Sequence, residues 1–163
     1  MNGARLASIE DAGAMSFVHA RAWKSAYTKF ISAEHLDSIT DEGWVPLFTR
    51  AFKNNLHQAA VFELDSKITG TVTFGRGRQI NTCNYDNMDG IDKGNLNCEE
   101  KQTINCCGEG EIISLYVLPQ YWSKKQGFEL TKFAVEQLKK QGYESCYLWV
   151  IKDNERAVNF YRK

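Results

Sequence analysis

Apolar and polar positions follow two different periods along this chain, and the clearest switch between them falls in residues 111–138, EIISLYVLPQYWSKKQGFELTKFAVEQL. The stretch opens on an apolar run rich in β-branched residues (Ile112, Ile113, Leu115, Val117), which predicts a buried strand stopped by Pro119. A short polar turn reaches Gly127, after which Leu130, Phe133, Ala134 and Leu138 recur at the spacing of one helix face. Gly142 ends that helix, and residues 145–151 (SCYLWVI) predict a second apolar strand. Strand, helix and strand in this order make a βαβ unit with parallel strands and a right-handed crossover. The turn entering its helix points unpaired N–H groups and a positive dipole end outward, which suits a phosphate.

The rest of the chain is patterned as clearly. Residues 4–7 (ARLA) predict a short first strand, and Ser8 with Asp11 forms a capping box. The helix it opens carries Met15, Val18, Ala22, Trp23 and Ala26 on one face. Ser32 caps a second short helix reaching Ile39, and Thr40 begins a third with Trp44, Leu47, Phe48, Ala51 and Phe52 at helical spacing. Residues 59–64 and 68–74 predict two strands joined through Asp65, Ser66 and Lys67, a hairpin. From Arg76 to Gly110 runs a polar insert rich in Asn, Gly and acid, either a functional flap or disordered.

Composition narrows the class. A chain of 163 residues suits one domain with one sizeable core, and 43% hydrophobic with 25% charged residues is ordinary for a soluble globular protein. Lys plus Arg equals Asp plus Glu at 20 each, so no overall field favours nucleic acid or an anionic membrane. No apolar run approaches the ~20 residues that span a bilayer, and MNGARLASIEDAG lacks a signal-peptide core. Five cysteines without a repeating framework point to a reducing cytoplasm.

LYVLPQY before the helix-opening turn, and LWVIKDNERAVNFYRK after the helix, together resemble the acetyl-CoA-binding half of the GNAT N-acetyltransferase superfamily. The usual pattern there is a strand, Pro, an aromatic, then Q/R-x-x-G-x-G/A opening a helix; a second strand, Asn, Arg-Ala and Phe-Tyr follow. Matched without gaps from Pro119, Trp122 takes the Q/R position, Lys125 the first Gly and Gly127 the last, so two signature positions depart. WKSAYTKF also resembles a segment between the family's first two helices, and the order of elements agrees across nearly the whole chain. The resemblance implies an α/β fold: a mixed, mostly antiparallel central sheet flanked by helices, with a parallel βαβ cofactor-binding unit, as one domain carrying the insert at 76–110. It implies transfer of acetyl from acetyl-CoA, as co-substrate and without a metal, to a primary amine of a small molecule or peptide.

Site residues follow position by position. Main-chain groups around Leu115, Tyr116 and Val117 pair with the pantetheine arm as an added strand would, and the turn Trp122, Ser123, Lys124, Lys125, Gln126, Gly127 holds the pyrophosphate through backbone N–H groups. Lys125 crowds that approach; Lys124 and Lys125 either add ammonium contacts or form a solvated helix start. Tyr161 stands where the family's general acid stands, or packs beside Phe160. Asn154 matches a cofactor-contacting Asn and equally fits an N-cap. Glu111 is the candidate base, acting directly or through water, against the alternative of a solvated strand start; His19 and His35 are alternatives that read as structural. Trp23 and Tyr27 line the acceptor pocket by resemblance, with core packing the competing role for Trp23.

Cys83, Cys98, Cys106 and Cys107 form no C-x-x-C pair, which argues against zinc, and NYDNMDGID fails as a calcium loop because Tyr85 and Leu96 hold its first and last ligand positions. Cys146 reads as core. The insert leaves the strand beginning near Glu111, so it is expected to cover the acceptor side; deleting 78–108 is expected to alter acceptor preference and spare coenzyme binding. The chain stops at Tyr161-Arg162-Lys163, where family members continue into a last strand. The strand at 145–151 is then left with an open edge, which suggests a homodimer. The competing reading is a degenerate, non-catalytic module of the same fold that binds CoA or a protein partner.

Overall fold

The computed structural model describes residues 2–77, 80, 81, 103, 104 and 108–162. Its elements in chain order are β1 (Gly3–Leu6), a 3-10 turn (Ile9–Asp11) running into α1 (Ala12–Ala26), α2 (Ala33–Ser38), α3 (Val45–Lys53), β2 (Gln58–Leu64) and β3 (Lys67–Arg76). After them come β4 (Ile80–Asn81), β5 (Thr103–Ile104), β6 (Gly110–Val117), a 3-10 turn (Pro119–Tyr121), α4 (Gln126–Lys140), β7 (Cys146–Leu148) and α5 (Glu155–Tyr161). One sheet runs in the order β1-β2-β3-β6-β7, antiparallel at every junction except the parallel pair β6 and β7. Those two are joined by α4, the crossover a parallel pair requires. The sheet is therefore mixed and mostly antiparallel, with a parallel βαβ unit at one side.

Period-two alternation in the strands divides the core into two layers. On β2, Ala59 and Val61 meet Ala12 and Met15 of α1 and Phe48 of α3. Ala60 points the other way, joining Val72, Phe74, Ile112 and Val117 against Leu130, Ala134 and Leu138 of α4. Burial of each large side chain in these layers contributes about 1.5–3 kcal/mol. Gly70 sets how closely α4 lies on the sheet, since a Cβ there would stand 2.8 Å from Leu130 Cδ1.

Local chemistry fixes the element boundaries. Ser8 N–H donates to Asp11 Oδ2 at 2.8 Å, and the Arg5 guanidinium grips the same carboxylate at 2.8 and 2.9 Å, tying β1 to the start of α1. Those bonds from Arg5 hold the Asp11 carboxyl below the usual carboxylate range. Ser32 Oγ accepts from His35 N–H at 3.3 Å to cap α2. The β2–β3 hairpin turns on two left-handed residues, Asp65 (φ 49°) and Ser66 (φ 62°), while Lys67 already pairs with Leu64.

Three sequence expectations need correction. The third helix starts at Val45, not Thr40: Pro46 fits a first turn, whereas a helix begun at Thr40 would need the N–H that Pro46 lacks. Leu47 accordingly faces solvent at 45% exposure. The last strand stops at Leu148 rather than Ile151; beyond it the chain parts from β6, leaving Trp149 and Val150 exposed. Cys146 is exposed, because β7 is an edge strand with no neighbour on its outer side among the described residues. Within the insert, β4 pairs antiparallel with β5. Cys83, Cys98, Cys106, Cys107 and the stretch from Tyr85 to Leu96 lie outside the described residues. Among the described residues no helix is long and apolar enough to cross a membrane.

Candidate functional site

The site is built on an irregularity in β6. Ile112 stands opposite Phe74 and Ser114 opposite Thr73, so Ile113 is an extra residue in the ladder, a β-bulge. Without it, side chains would alternate strictly along the strand. With it, Ile112, Leu115 and Val117 all turn toward α4. Glu111, Ser114 and Tyr116 share the opposite face, where Ser114 Oγ meets Thr73 Oγ1 at 2.7 Å and the Tyr116 ring packs 4.2 Å from His19 of α1.

The free edge of β6 follows from the same register. Leu118 N–H donates to the Thr69 carbonyl at 2.9 Å, with Val117 opposite Gly70 and Leu115 opposite Val72. An antiparallel ladder then turns the peptide groups of Ser114, Tyr116 and Leu118 toward β3 and those of Leu115 and Val117 away from it. On that side β7 pairs only with Gly110, Glu111 and Ile112. Leu115 and Val117 therefore border a gap between diverging strands.

Past the gap comes the turn that opens α4. Tyr121 N–H bonds the Leu118 carbonyl and Trp122 N–H the Pro119 carbonyl, after which Ser123 (φ 61°) and Lys125 (φ 65°) both adopt the left-handed conformation. For a residue with a Cβ this costs roughly 1–2 kcal/mol. Lys125 thus holds a backbone shape that a glycine would adopt without strain. Its side chain, with those of Ser123 and Lys124, is exposed rather than folded over the turn. The first helical bond runs from Glu129 N–H to Lys125 C=O, so the preceding N–H groups have no partner within the helix. Gln126 is buried and accepts from Thr69 Oγ1 at 2.9 Å. A Cβ on Gly127 would touch the Phe160 ring at 3.4 Å, so α5 packs directly on this turn.

Trp122 does not lie loose in the hollow. Its Nε1–H donates to the Val117 carbonyl at 2.7 Å, and the Arg156 guanidinium sits 3.7 Å from its ring centroid. The Lys124 ammonium lies 5.2 Å from the Tyr121 ring.

A cluster of phenols lies on the α1 side. Tyr27 Oη and Tyr116 Oη are 3.3 Å apart. Burial, then the neighbouring Tyr27, raises the Tyr116 phenol well above its ordinary range. The same two causes push the Tyr161 phenol up to about 12. Tyr116 and Tyr161 therefore keep their protons at neutral pH. His19 is enclosed by the rings of Trp23, Trp44, Phe48 and Tyr116, and burial drives its pKa down to about 3. It packs as one ring of an aromatic cluster. Trp23 is buried in the same cluster, as core packing predicts.

Glu111 stands apart. It is fully buried and accepts from Tyr147 Oη at 3.2 Å across the β6–β7 pair. At the usual strand rise it lies about 15 Å along β6 from Tyr116. Asn154 caps α5, its Oδ1 accepting from Ala157 N–H at 3.1 Å. Sequence reading missed Tyr147 and Arg156. A parallel register would have put Tyr147 beside Glu111, but the meeting of Arg156 with Trp122 is tertiary and leaves no local signal. Two open surface grooves, of about 510 and 330 Å³, lie on the α1 side of residues 118–121 and are lined by none of the candidate catalytic, coenzyme-binding or acceptor residues.

A sequence model of the Acetyltransferase (GNAT) family matches residues 20–163. No curated protein sequence matches the chain. Among solved structures, a PaiA N-acetyltransferase from Thermoplasma acidophilum in complex with coenzyme A is 23% identical, with TM-score 0.69 over 99% of this chain and 87% of that one. An N-acetyltransferase from Staphylococcus aureus Mu50 is 17% identical, with TM-score 0.67 over 99% and 81%. The aminoglycoside N-acetyltransferase AAC(6')-Iy in complex with CoA is 8% identical, with TM-score 0.64 over 99% and 85%. At these identities the likeness is one of fold.

Proposed function

Because this chain belongs to the GNAT acetyltransferase family, we propose that it transfers acetyl from acetyl-CoA to a primary amine of a small molecule or peptide. The observation that carries the reading is the free edge of β6 at Leu115 and Val117, continuous with a turn that keeps a left-handed residue at Lys125. A pantetheine arm has amides of its own, and the Leu115 and Val117 peptide groups match them as one strand matches the next. The N–H groups that open α4 suit the diphosphate.

In this reading the acceptor amine attacks the thioester carbonyl carbon, the new C–N bond forms and the C–S bond breaks. The thiolate takes a proton from Tyr161, whose raised pKa keeps that proton in place until sulfur develops charge. The second proton that nitrogen sheds on becoming an amide returns to the Tyr161 phenolate. Glu111, with Tyr147 on its carboxylate, takes the ammonium proton through intervening water. Tyr27 lines the acceptor side together with the phenol of Tyr116, and Trp23 supports both from the core. Self-association across the outer edge of β7 belongs to the same reading; a clean monomer at micromolar concentration in sedimentation would remove it.

Calorimetry with acetyl-CoA, followed by thiol release with a panel of amines, tests the proposal. The expected result is saturable binding and turnover, with Tyr161→Phe lowering kcat about 10²-fold and leaving KM for acetyl-CoA near its starting value. Binding with no turnover on any amine would favour the non-catalytic module. One observation favours that second reading: the Val117 carbonyl is already taken by Trp122, which leaves the edge one acceptor poorer.

A further inference from the structure

Trp122 occupies the position where family members carry Gln or Arg, and its only polar atom is spent on the Val117 carbonyl at 2.7 Å. It has nothing left to offer a phosphate except the face of its ring. That face holds the Arg156 guanidinium, 3.7 Å from the ring centroid. A stacked guanidinium uses its flat surface and keeps its N–H donors free at the edge, in the fork geometry that fits phosphate oxygens. Among the described residues Arg156 forms no salt bridge, although Asp153, Glu155 and Glu129 are near in sequence or on the same turn. Burial lowers its pKa with no offsetting carboxylate. Lys124, on the other side of the turn, is likewise held by a ring, that of Tyr121. Two cations flank the turn, and aromatic faces hold them where carboxylates would usually do so.

We propose that Arg156, held on the Trp122 ring, supplies the cationic contact to the coenzyme A diphosphate that the family's Gln or Arg at position 122 would otherwise supply. The inference rests on the coenzyme reading above. It assigns the lost function to a residue on a different element: the side chain at 122 becomes the platform and α5 brings the charge. It also accounts for the otherwise odd exchange of a polar residue for Trp, since only a large ring reaches both the Val117 carbonyl and the guanidinium.

The test compares coenzyme A with pantetheine, which has the same arm and no diphosphate, by calorimetry on the full chain. Arg156→Leu is expected to weaken coenzyme A binding about tenfold or more while pantetheine affinity stays within twofold. The fall of log K with log salt should also become shallower by about one unit of charge. Arg156→Lys, which keeps the charge but not the fork, should fall between; it also serves as the informative variant if Arg156→Leu does not fold. Equal loss for both ligands, or no loss for coenzyme A, would overturn the assignment. Failure of the unaltered chain to bind either ligand is a separate outcome, and it would overturn the coenzyme reading itself.

Discussion

Single side chains show where burial overrides residue type. His19 looks like an acid–base candidate in a list of residues, yet four rings enclose it and its pKa falls from 6.5 to about 3. Its folded value is depressed, so its contribution to stability is full above pH 6.5 and is lost as pH falls toward 3. Between pH 7 and pH 5 this group alone should remove about 2 kcal/mol, measured by urea unfolding at each pH. His19→Phe should abolish that part of the slope, and an unchanged slope would refute the account. Lys125 makes a different prediction. Its left-handed backbone is strained by a Cβ, so Lys125→Gly should stabilise the fold by about 1 kcal/mol and raise the melting temperature by a few degrees. A drop in melting temperature would mean that the lysine side chain earns its place there. The capping of α5 by Asn154 was legible in the sequence, because an Asn just before a helix is a strong N-cap signal. Arg156 lies in that same helix, but its partner Trp122 sits in a separate turn, and no periodicity joins them.

Elements were legible where one period ran unbroken. The apolar face of α4 was readable because it buries one continuous side, and β2 and β3 because two apolar runs flank a turn at Asp65 and Ser66. The misses fall where backbone bonding decides. Pro46 moved the start of α3, and an apolar run past Leu148 found no strand to pair with. The bulge at Ile113 was equally invisible, because one unpaired residue in an apolar run changes no composition. These elements should differ in local stability. β3 and β6 are paired along most of their length, whereas β7 has three residues and α5 has none fully buried. Hydrogen exchange should therefore show the amides of 146–148 and 155–161 opening well before those of 70–75, and slowing most when coenzyme A is added. Uniform protection across both sets would contradict this ranking.

At the scale of the whole molecule, the sheet is continuous from β1 to β6 and then opens, and the proposed site occupies that opening. A ligand seated there binds only the folded chain, so melting should rise with coenzyme concentration, by about 2.7 kcal/mol at a hundredfold excess over Kd. A thermal-shift titration checks it; no shift at millimolar coenzyme would set aside the proposed binding. One arrangement described above reaches further. α5 rests on the turn through Phe160 and Arg156 and bears Tyr161 one residue past Phe160. A lesion at the cation would then also misplace Tyr161, the proposed proton donor. A screen scored by product formed alone would file such variants as chemical defects, when the injury began at the tail of the nucleotide.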